Sequence, residues 1–204
     1  NYSDNFLFLF DNAYLVHDFL PTRIQTPVWE IAIKAGAINQ TVVVTSFSKV
    51  TFGGGGMSFM AASGKSLELV KKIRASMVIC PDKINQKRHT QFFSDADDII
   101  RHMAKHADLI RPKFEIAYAA LENLSDEYGS FSRPTGGYFI TFTSTKPIAT
   151  RVVELCKEVG VLITPAGVTF PYGNDPKDNI IRIAPTFIDE RQLEVAMDAF
   201  ITAV

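Results

Sequence analysis

The sequences FLFLFDNAY at residues 6–14 and TVVVTSFSK at residues 41–49 decide the fold class of this chain. Each begins with a continuous apolar run and ends abruptly in polar residues, which is typical of strands buried on both faces of an α/β sheet. Between them, Thr26 before Pro27 predicts the start of a helix, and Gly36 can close it. This order predicts a right-handed βαβ unit with two parallel strands.

The polar residues at the ends of these two strands are predicted to lie together. Asp11 and Tyr14 follow the first strand, and Ser46, Ser48 and Lys49 end the second. The carboxyl ends of parallel strands share one edge of the sheet, where α/β proteins bind their ligands. We therefore expect these five side chains to converge.

The next residues predict the end of this sheet and the start of a second lobe. Residues 57–63 follow too closely for a parallel crossover, so we expect an antiparallel third strand. A helical pattern covers residues 63–77, and the polar segment PDKINQKRH at residues 81–89 marks a boundary. From about residue 96 to residue 128 the apolar spacing is again helical.

The carboxyl-terminal residues predict a compact α+β unit. Its expected elements are a strand in GGYFITF, a helix capped at Thr145, strands in VLITP and NIIRIAPTF, and a helix from Asp189. The predicted fold class is therefore α/β, with part of a mostly parallel sheet followed by a small α+β domain. The predicted division is residues 1–80 for the sheet domain, 81–128 for a connecting segment and long helix, and 129–204 for the small domain.

Composition excludes several classes of function. The 204 residues carry 21 Lys plus Arg against 22 Asp plus Glu, so no strong field of one sign indicates a nucleic acid or a membrane surface as partner. Apolar runs stay well short of the roughly 20 residues that span a bilayer. Cys80 and Cys156 show no disulfide or metal spacing, and a cytoplasmic protein with a small-molecule ligand fits best.

The first residues of the chain and a pair of histidines give two further expectations. The chain opens at Asn1 without a methionine and enters a strand at once, so we expect further residues before it. His102 and His106 have the spacing of a helical metal pair, but no third ligand or H-E-x-x-H motif accompanies them. We expect a solvated helix face there and no metal site.

DNAY, SFSK with its following glycine run, and the arginine of NIIRIAPTF resemble the ordered landmarks of the pyridoxal-phosphate (PLP) aminotransferases of the aspartate aminotransferase fold, fold type I. The resemblance covers essentially the whole chain. With PDKINQKRH, RPTGGYF and TPAGVTFPYG, it is closest to the aspartate aminotransferases grouped with MocR-like proteins. It implies a PLP-dependent transferase fold, of which this chain is the carboxyl-terminal half, and a homodimer.

The resemblance implies a role for each residue at the predicted edge. Lys49 alone would be a surface charge, but in the family this lysine carries PLP as a Schiff base and moves the substrate α-proton. Asp11 alone would be a turn residue, but here it would keep the PLP ring nitrogen protonated. Tyr14 would donate to the phenolic oxygen of the cofactor.

The phosphate site implied by the resemblance departs from the family pattern. Ser46 and Ser48, with amides of the glycine loop, suit the phosphate anion. Many relatives place an arginine eight residues after the lysine, where this chain has Met57. The missing charge can come from an absent amino-terminal part or from a neighbouring subunit, where the candidates are Lys83, Lys87 and Arg88. His89 and Asn85 can approach an active site across the same interface.

Arg182 lies among apolar residues in the predicted strand NIIRIAPTF. The resemblance implies that it binds the substrate α-carboxylate, because a planar guanidinium binds a carboxylate through two parallel hydrogen bonds. The alternative is an ion pair with an Asp or Glu of the small domain.

The function expected from the resemblance is transamination between an amino acid and a 2-oxo acid, with aspartate and 2-oxoglutarate as the favoured pair. Two alternatives remain. One is a PLP lyase of the same fold, which would release ammonia or pyruvate without a 2-oxo acceptor. The other is the effector domain of a MocR-like transcriptional regulator, which would carry an amino-terminal DNA-binding domain.

Overall fold

The computed structural model describes residues 6–19 and 26–204. The chain forms two compact units that divide after Ala104. The boundaries predicted at residues 80 and 128 stay predictions.

The first unit contains a three-stranded sheet in the order β1-β2-β3. Its strands are β1 (Phe8–Asp11), β2 (Thr41–Ser46) and β3 (Ser58–Ala62). Strand β1 is parallel to β2, with Asp11 opposite Val44. Strand β3 is antiparallel to β2, with Ser58 opposite Ser46. Both predicted strand directions are confirmed.

The burial expected for β1 on both faces is wrong in this chain. Phe8 is 46% exposed and Leu9 is 59% exposed, whereas Val42 on the neighbouring strand is buried. The reason is topological, because β1 is the edge of the sheet and, among the described residues, pairs with β2 alone. Apolar side chains on such an edge mark a surface that other protein normally covers.

The first unit also contains helices, and the last of them continues beyond Ala104. They are α1 (Val28–Lys34), α2 (Gly64–Met77), α3 (Lys83–Phe92) and α4 (Ala96–Leu121), with a 3₁₀ turn at Ile38–Gln40. The helix predicted after Pro27 is confirmed, and Gly36 follows it at φ +67°. Most of the polar segment PDKINQKRH lies in α3. Its start is stabilised by Asp82, whose carboxylate accepts hydrogen bonds from the backbone of Ile84 (2.8 Å) and Asn85 (3.1 Å).

Helix α4 ends at Leu121, earlier than the predicted residue 128. The backbone N–H groups of Asn123 and Leu124 donate to carbonyl oxygens three residues back, at 3.1 Å and 3.2 Å. Hydrogen bonds between residues three apart, as in a 3₁₀-helix, tighten the last turn and end the helix. In the described part of the chain, no helix combines the length and apolar character needed to cross a membrane.

The second unit has an antiparallel sheet in the order β4-β5-β6 and two further helices. The elements are β4 (Gly129–Phe131), β5 (Ile140–Ser144), α5 (Ala149–Glu158), a 3₁₀ turn at Pro171–Gly173, β6 (Ile180–Ile183) and α6 (Glu190–Ala203). Phe142 on β5 and Phe200 on α6 are both buried, and their rings meet edge to face at 5.5 Å. The predicted α+β unit and its last helix are confirmed.

Two local expectations in this unit are wrong, and one short strand was not foreseen. The segment VLITP forms no strand, and within the described residues it has no strand partner. The short strand β4 was not predicted, since three residues carry too little pattern. Helix α5 begins at Ala149 and is not capped by Thr145, because Asp178 supplies the cap: its carboxylate accepts from the backbone of Thr150 at 2.9 Å.

Candidate active site

The DNAY turn is fastened to strand β2 by its backbone. The N–H of Asn12 donates to the carbonyl of Val44 at 2.7 Å. The carbonyl of Asn12 accepts from the Thr45 hydroxyl at 2.9 Å. The carboxylate of Asp11 also accepts from the N–H of Ala13 at 3.1 Å, so this exposed acid lies at the start of an ordered turn.

The structure brings Tyr14 and Lys49 together. The Nζ atom of Lys49 lies 4.9 Å from the centre of the Tyr14 ring, within the range of a cation–π interaction. Lys49 lies in a turn just after β2, where the backbone of Val50 and of Thr51 both donate to the carbonyl of Phe47 at 3.0 Å. The predicted convergence of these two side chains at one sheet edge is thus observed.

Ser46 and Ser48 are paired beneath the glycine loop at residues 53–56. The Ser46 hydroxyl donates to the Ser48 hydroxyl at 2.9 Å, and the backbone N–H of Ser48 donates to Ser46 at 3.1 Å. A Cβ atom on Gly56 would lie 2.5 Å from the Cα of Ser48, so only glycine permits this approach. The loop thus gathers hydroxyls and backbone groups in a small volume, as an anion site requires.

The opposite side of the glycine loop faces helix α3 of the same chain. Arg88 donates to the side-chain oxygen of Asn85 at 3.1 Å. A Cβ on Gly55 would lie 3.5 Å from that oxygen and 4.0 Å from the Arg88 guanidinium. A cation therefore borders the loop within one chain, although Met57 replaces the arginine that many relatives have. The expectation that a neighbouring subunit supplies this charge stays a prediction.

His89 is buried within its own unit. Only 5% of it is exposed, and its Nδ1 faces the carbonyl of Asn85 at 2.7 Å. Its Nε2 lies 2.7 Å from the Thr51 hydroxyl, and its ring stacks on Phe47 at 5.9 Å. This histidine supports the turn that carries Lys49, a role that the sequence analysis did not foresee.

The expectation that His102 and His106 lie on a solvated helix face is wrong. His102 is half-buried, and its Nε2 lies 2.8 Å from the carbonyl of Val50, next to the rings of Phe92 and Phe93. His106 meets the hydroxyl of Tyr138 at 3.3 Å. Both imidazoles are thus partly covered by neighbouring side chains. Over the described ranges, no cluster of His, Cys, Asp and Glu could hold a metal ion.

Arg182 belongs to the second unit, whereas the other five predicted site residues belong to the first. Its Nε donates to the Thr164 hydroxyl at 3.4 Å, and its guanidinium lies 4.5 Å from the centre of the Phe139 ring. Among residues 6–19 and 26–204, no ion pair to a carboxylate is observed for this half-buried arginine. The alternative of a structural ion pair therefore finds no support in the described residues.

The sequence analysis also missed His17, which lies against the turn that carries Lys49. It is 3% exposed, and its Nε2 lies 3.4 Å from the Lys49 carbonyl oxygen. The one available signal was its position three residues after Tyr14. Contacts with a backbone carbonyl leave no motif in a sequence. For the same reason the sequence analysis did not identify Thr51.

The side chains at this edge fit the chemistry of PLP. The amine, which lies beside a phenol, corresponds to the aldehyde of PLP. The carboxylate on the neighbouring strand corresponds to its ring, and the hydroxyl pair under the glycine loop corresponds to its phosphate. The steric requirement at Gly56 supports the fit, since a side chain there would collide with Ser48.

Comparison with known proteins identifies the family of this chain. Residues 2–204 match the family described as aspartate amino-transferase. The chain is 36% identical to an aspartate aminotransferase of Corynebacterium glutamicum over 205 residues, which covers 98% of this chain and 47% of that protein. The chain therefore belongs to the aspartate aminotransferase family. It spans about half the length of the curated relatives it matches.

Solved structures support the same assignment. The crystal structure of an aspartate transaminase from Corynebacterium glutamicum matches with a TM-score of 0.93 and 34% identity, covering 99% of this chain and 48% of that one. An α-aminoadipate aminotransferase from Thermus thermophilus, complexed with N-(5'-phosphopyridoxyl)-L-leucine, matches with a TM-score of 0.79 and 21% identity, covering 97% and 49%. This second likeness shows the fold, which is that of the PLP-dependent aminotransferases.

Proposed function

We propose that this chain is the carboxyl-terminal half of a PLP-dependent aminotransferase of the MocR-like aspartate aminotransferase subgroup. The observation that carries the proposal is the position of the Lys49 amine 4.9 Å from the Tyr14 ring, at the sheet edge that also carries Asp11. Aspartate and 2-oxoglutarate are the proposed substrates. The name of the Corynebacterium glutamicum relative, aspartate aminotransferase, supports aspartate as the amino donor.

The proposed cofactor contacts follow from the chemistry of each side chain. PLP, when bound, supplies an electron-withdrawing ring that stabilises negative charge at the substrate α-carbon. The Asp11 carboxylate would hold a proton on the ring nitrogen, and the Tyr14 hydroxyl would donate to the phenolic oxygen. Ser46, Ser48 and backbone N–H groups of the glycine loop would hold the phosphate.

Lys49 has two proposed tasks. Its amine would form the covalent link to the cofactor, which requires a neutral nitrogen. After the substrate has displaced it, the same amine would accept the proton from the substrate α-carbon and return it. The Tyr14 ring limits where the amine can move, because a face-on contact holds the nitrogen near one position.

Arg182 is the proposed partner of the substrate α-carboxylate. Its guanidinium is oriented by Phe139 and Thr164, and no ion pair among the described residues competes for it. Two parallel hydrogen bonds from the guanidinium would orient the substrate for proton removal. Small amino and 2-oxo acids are thus the proposed partners, and we also propose a cytoplasmic homodimer that binds neither nucleic acid nor membrane.

The proposal is tested first on the cofactor link. The full-length protein should absorb visible light after loading with PLP, and borohydride reduction with peptide mapping should label Lys49. Lys49→Ala should lose the visible band and transamination, whereas Lys65→Ala, at an exposed position on α2, should keep both. Labelling of another lysine would overturn the site. Release of pyruvate or ammonia without a 2-oxo acceptor would indicate a lyase instead.

A further inference from the structure

We propose that His17 is a positioning residue that sets the Lys49 backbone and the Tyr14 ring relative to each other. This inference rests on the proposed function, because it concerns how the proposed cofactor lysine and phenol are held. It adds a residue outside the landmarks DNAY, SFSK and NIIRIAPTF. Four contacts, all within the first unit, support it.

The first contact joins His17 to the backbone of the lysine itself. Its Nε2 lies 3.4 Å from the Lys49 carbonyl oxygen, at the long end of hydrogen-bonding distance. A carbonyl oxygen only accepts hydrogen bonds, so Nε2 must carry the hydrogen. The contact spans 32 residues of sequence and links the DNAY turn to the turn after β2.

The other three contacts place Tyr14 between the histidine and the amine. The rings of His17 and Tyr14 meet edge to face, with centres 5.2 Å apart and planes at 74°. The backbone N–H of His17 donates to the Tyr14 carbonyl at 3.2 Å. The Lys49 amine lies over the same tyrosine ring at 4.9 Å. His17 therefore touches Lys49 at its backbone and, through Tyr14, faces its amine.

His17 is buried, whereas the two groups that it contacts are exposed. His17 is 3% exposed, whereas Tyr14 is 38% exposed and Lys49 is exposed. The two proposed reactive groups thus point outward from a buried imidazole. A site group held by a buried neighbour keeps its geometry, and a displacement of about 1 Å can slow a reaction by about a hundredfold.

The test distinguishes the effect of the His17 hydrogen bond from the effect of its aromatic ring. His17→Gln can keep an N–H donor near the position of Nε2, whereas His17→Phe keeps an aromatic ring and removes the donor. In the PLP-loaded full-length protein, we expect His17→Phe to shift the visible absorption band. It should also slow the single-turnover reaction with aspartate about tenfold, with the dissociation constant of aspartate changed less than about threefold. His17→Gln should recover most of the rate.

Thr41→Val is the matched control. Thr41 is also buried, lies at the other end of β2, and donates one side-chain hydrogen bond to the Ala37 carbonyl at 3.0 Å. The Thr41→Val substitution should lower the thermal stability of the protein without shifting its visible absorption band. If His17→Phe resembles Thr41→Val in band position and single-turnover rate, the inference is overturned. If the wild-type protein shows no visible band at all, the proposed function fails instead.

A second measurement needs no variant. In wild-type protein labelled with ¹⁵N-histidine, the Nε2 signal of His17 should be that of a protonated nitrogen at neutral pH. An unprotonated Nε2 cannot donate to the Lys49 carbonyl and would contradict the proposal even if the His17 variants do not fold.

Discussion

Individual polar residues at strand ends carry the proposed chemistry. Asp11 accepts a hydrogen bond from the backbone of Ala13, as an ordinary turn aspartate does. Its position is what distinguishes it, since it ends β1 beside the strand that leads to Lys49. The same carboxylate can thus order the turn through one oxygen and meet a protonated ring nitrogen through the other.

Asp11→Ala is expected to leave part of the PLP bound and to slow removal of the substrate α-proton by at least about a hundredfold. The physical reason is that the ring nitrogen loses the carboxylate that keeps it protonated. Stopped-flow absorbance with aspartate measures the rate. Asp97→Ala, at an exposed position in the first turn of α4, should react like the wild type. An unchanged rate for Asp11→Ala would remove this residue from the mechanism.

Secondary-structure elements decide how close the groups can come. The glycine loop at residues 53–56 returns against Ser48, and its close approach depends on Gly56 having no side chain. Elsewhere in the chain, Asp175 plays a comparable structural part ahead of β6. Its carboxylate accepts from the backbone of Lys177 (3.0 Å), Asn179 (2.8 Å) and Ile180 (2.9 Å), and so fixes the entry into the strand of Arg182.

Gly56→Ala is expected to weaken PLP binding at least about tenfold. The new methyl would lie 2.5 Å from the Ser48 Cα, so the backbone near the proposed phosphate site must shift. Gly53→Ala is the matched control, because a Cβ there would meet no atom within 4 Å and its φ is not positive. Fluorescence titration of the apoprotein with PLP gives both affinities. Equal affinities in the two variants would show that the loop does not shape the phosphate site.

The loop before β6 should be sensitive to acid. Desolvation acts to raise the pKa of Asp175, but the backbone N–H donors of residues 177–180 together lower it below its ordinary value of 3.8. A lowered folded-state pKa contributes stability that is present above pH 3.8 and is lost as the pH falls through the lowered value. The wild-type protein should therefore be more stable than Asp175→Asn at pH 7.

Urea unfolding at a series of pH values measures this difference. It should be constant from about pH 7 to about pH 5 and should shrink below about pH 4. Asp126→Asn, at an exposed loop position of the same unit, should show no such difference. A stability gap that persisted at the lowest pH would mean that Asp175 acts through shape and not through charge.

The whole chain leaves apolar surface that its own described residues do not cover. Leu7, just before the edge strand β1, is 62% exposed, Leu9 within β1 is 59% exposed, and Met60 on β3 is 52% exposed. An exposed apolar sheet edge is normally covered by other protein. The curated relatives are about twice as long as this chain, so their remaining halves are the natural candidates for that cover.

Residues 1–204 expressed alone are expected to show no transamination with aspartate, 2-oxoglutarate and PLP. The reason is that the chain spans about half the length of its curated relatives, and that the proposed enzyme is a homodimer. Light scattering should be run on the same sample to give its mass. The Lys49→Ala variant of the same chain gives the background rate. A monomer with turnover well above that background would contradict the expectation.

Local pattern and chain connectivity determined the main features of this protein. Apolar runs that end in polar residues, joined by one helix, leave a parallel strand pair as the simplest arrangement, and this pair brings Tyr14 and Lys49 together. Other features were decided by the tertiary structure alone. The contact of His17 with the Lys49 carbonyl and the capping of α5 by Asp178 each join residues about thirty positions apart. Such contacts depend on how packing orients side chains, and sequence periodicity carries no record of that.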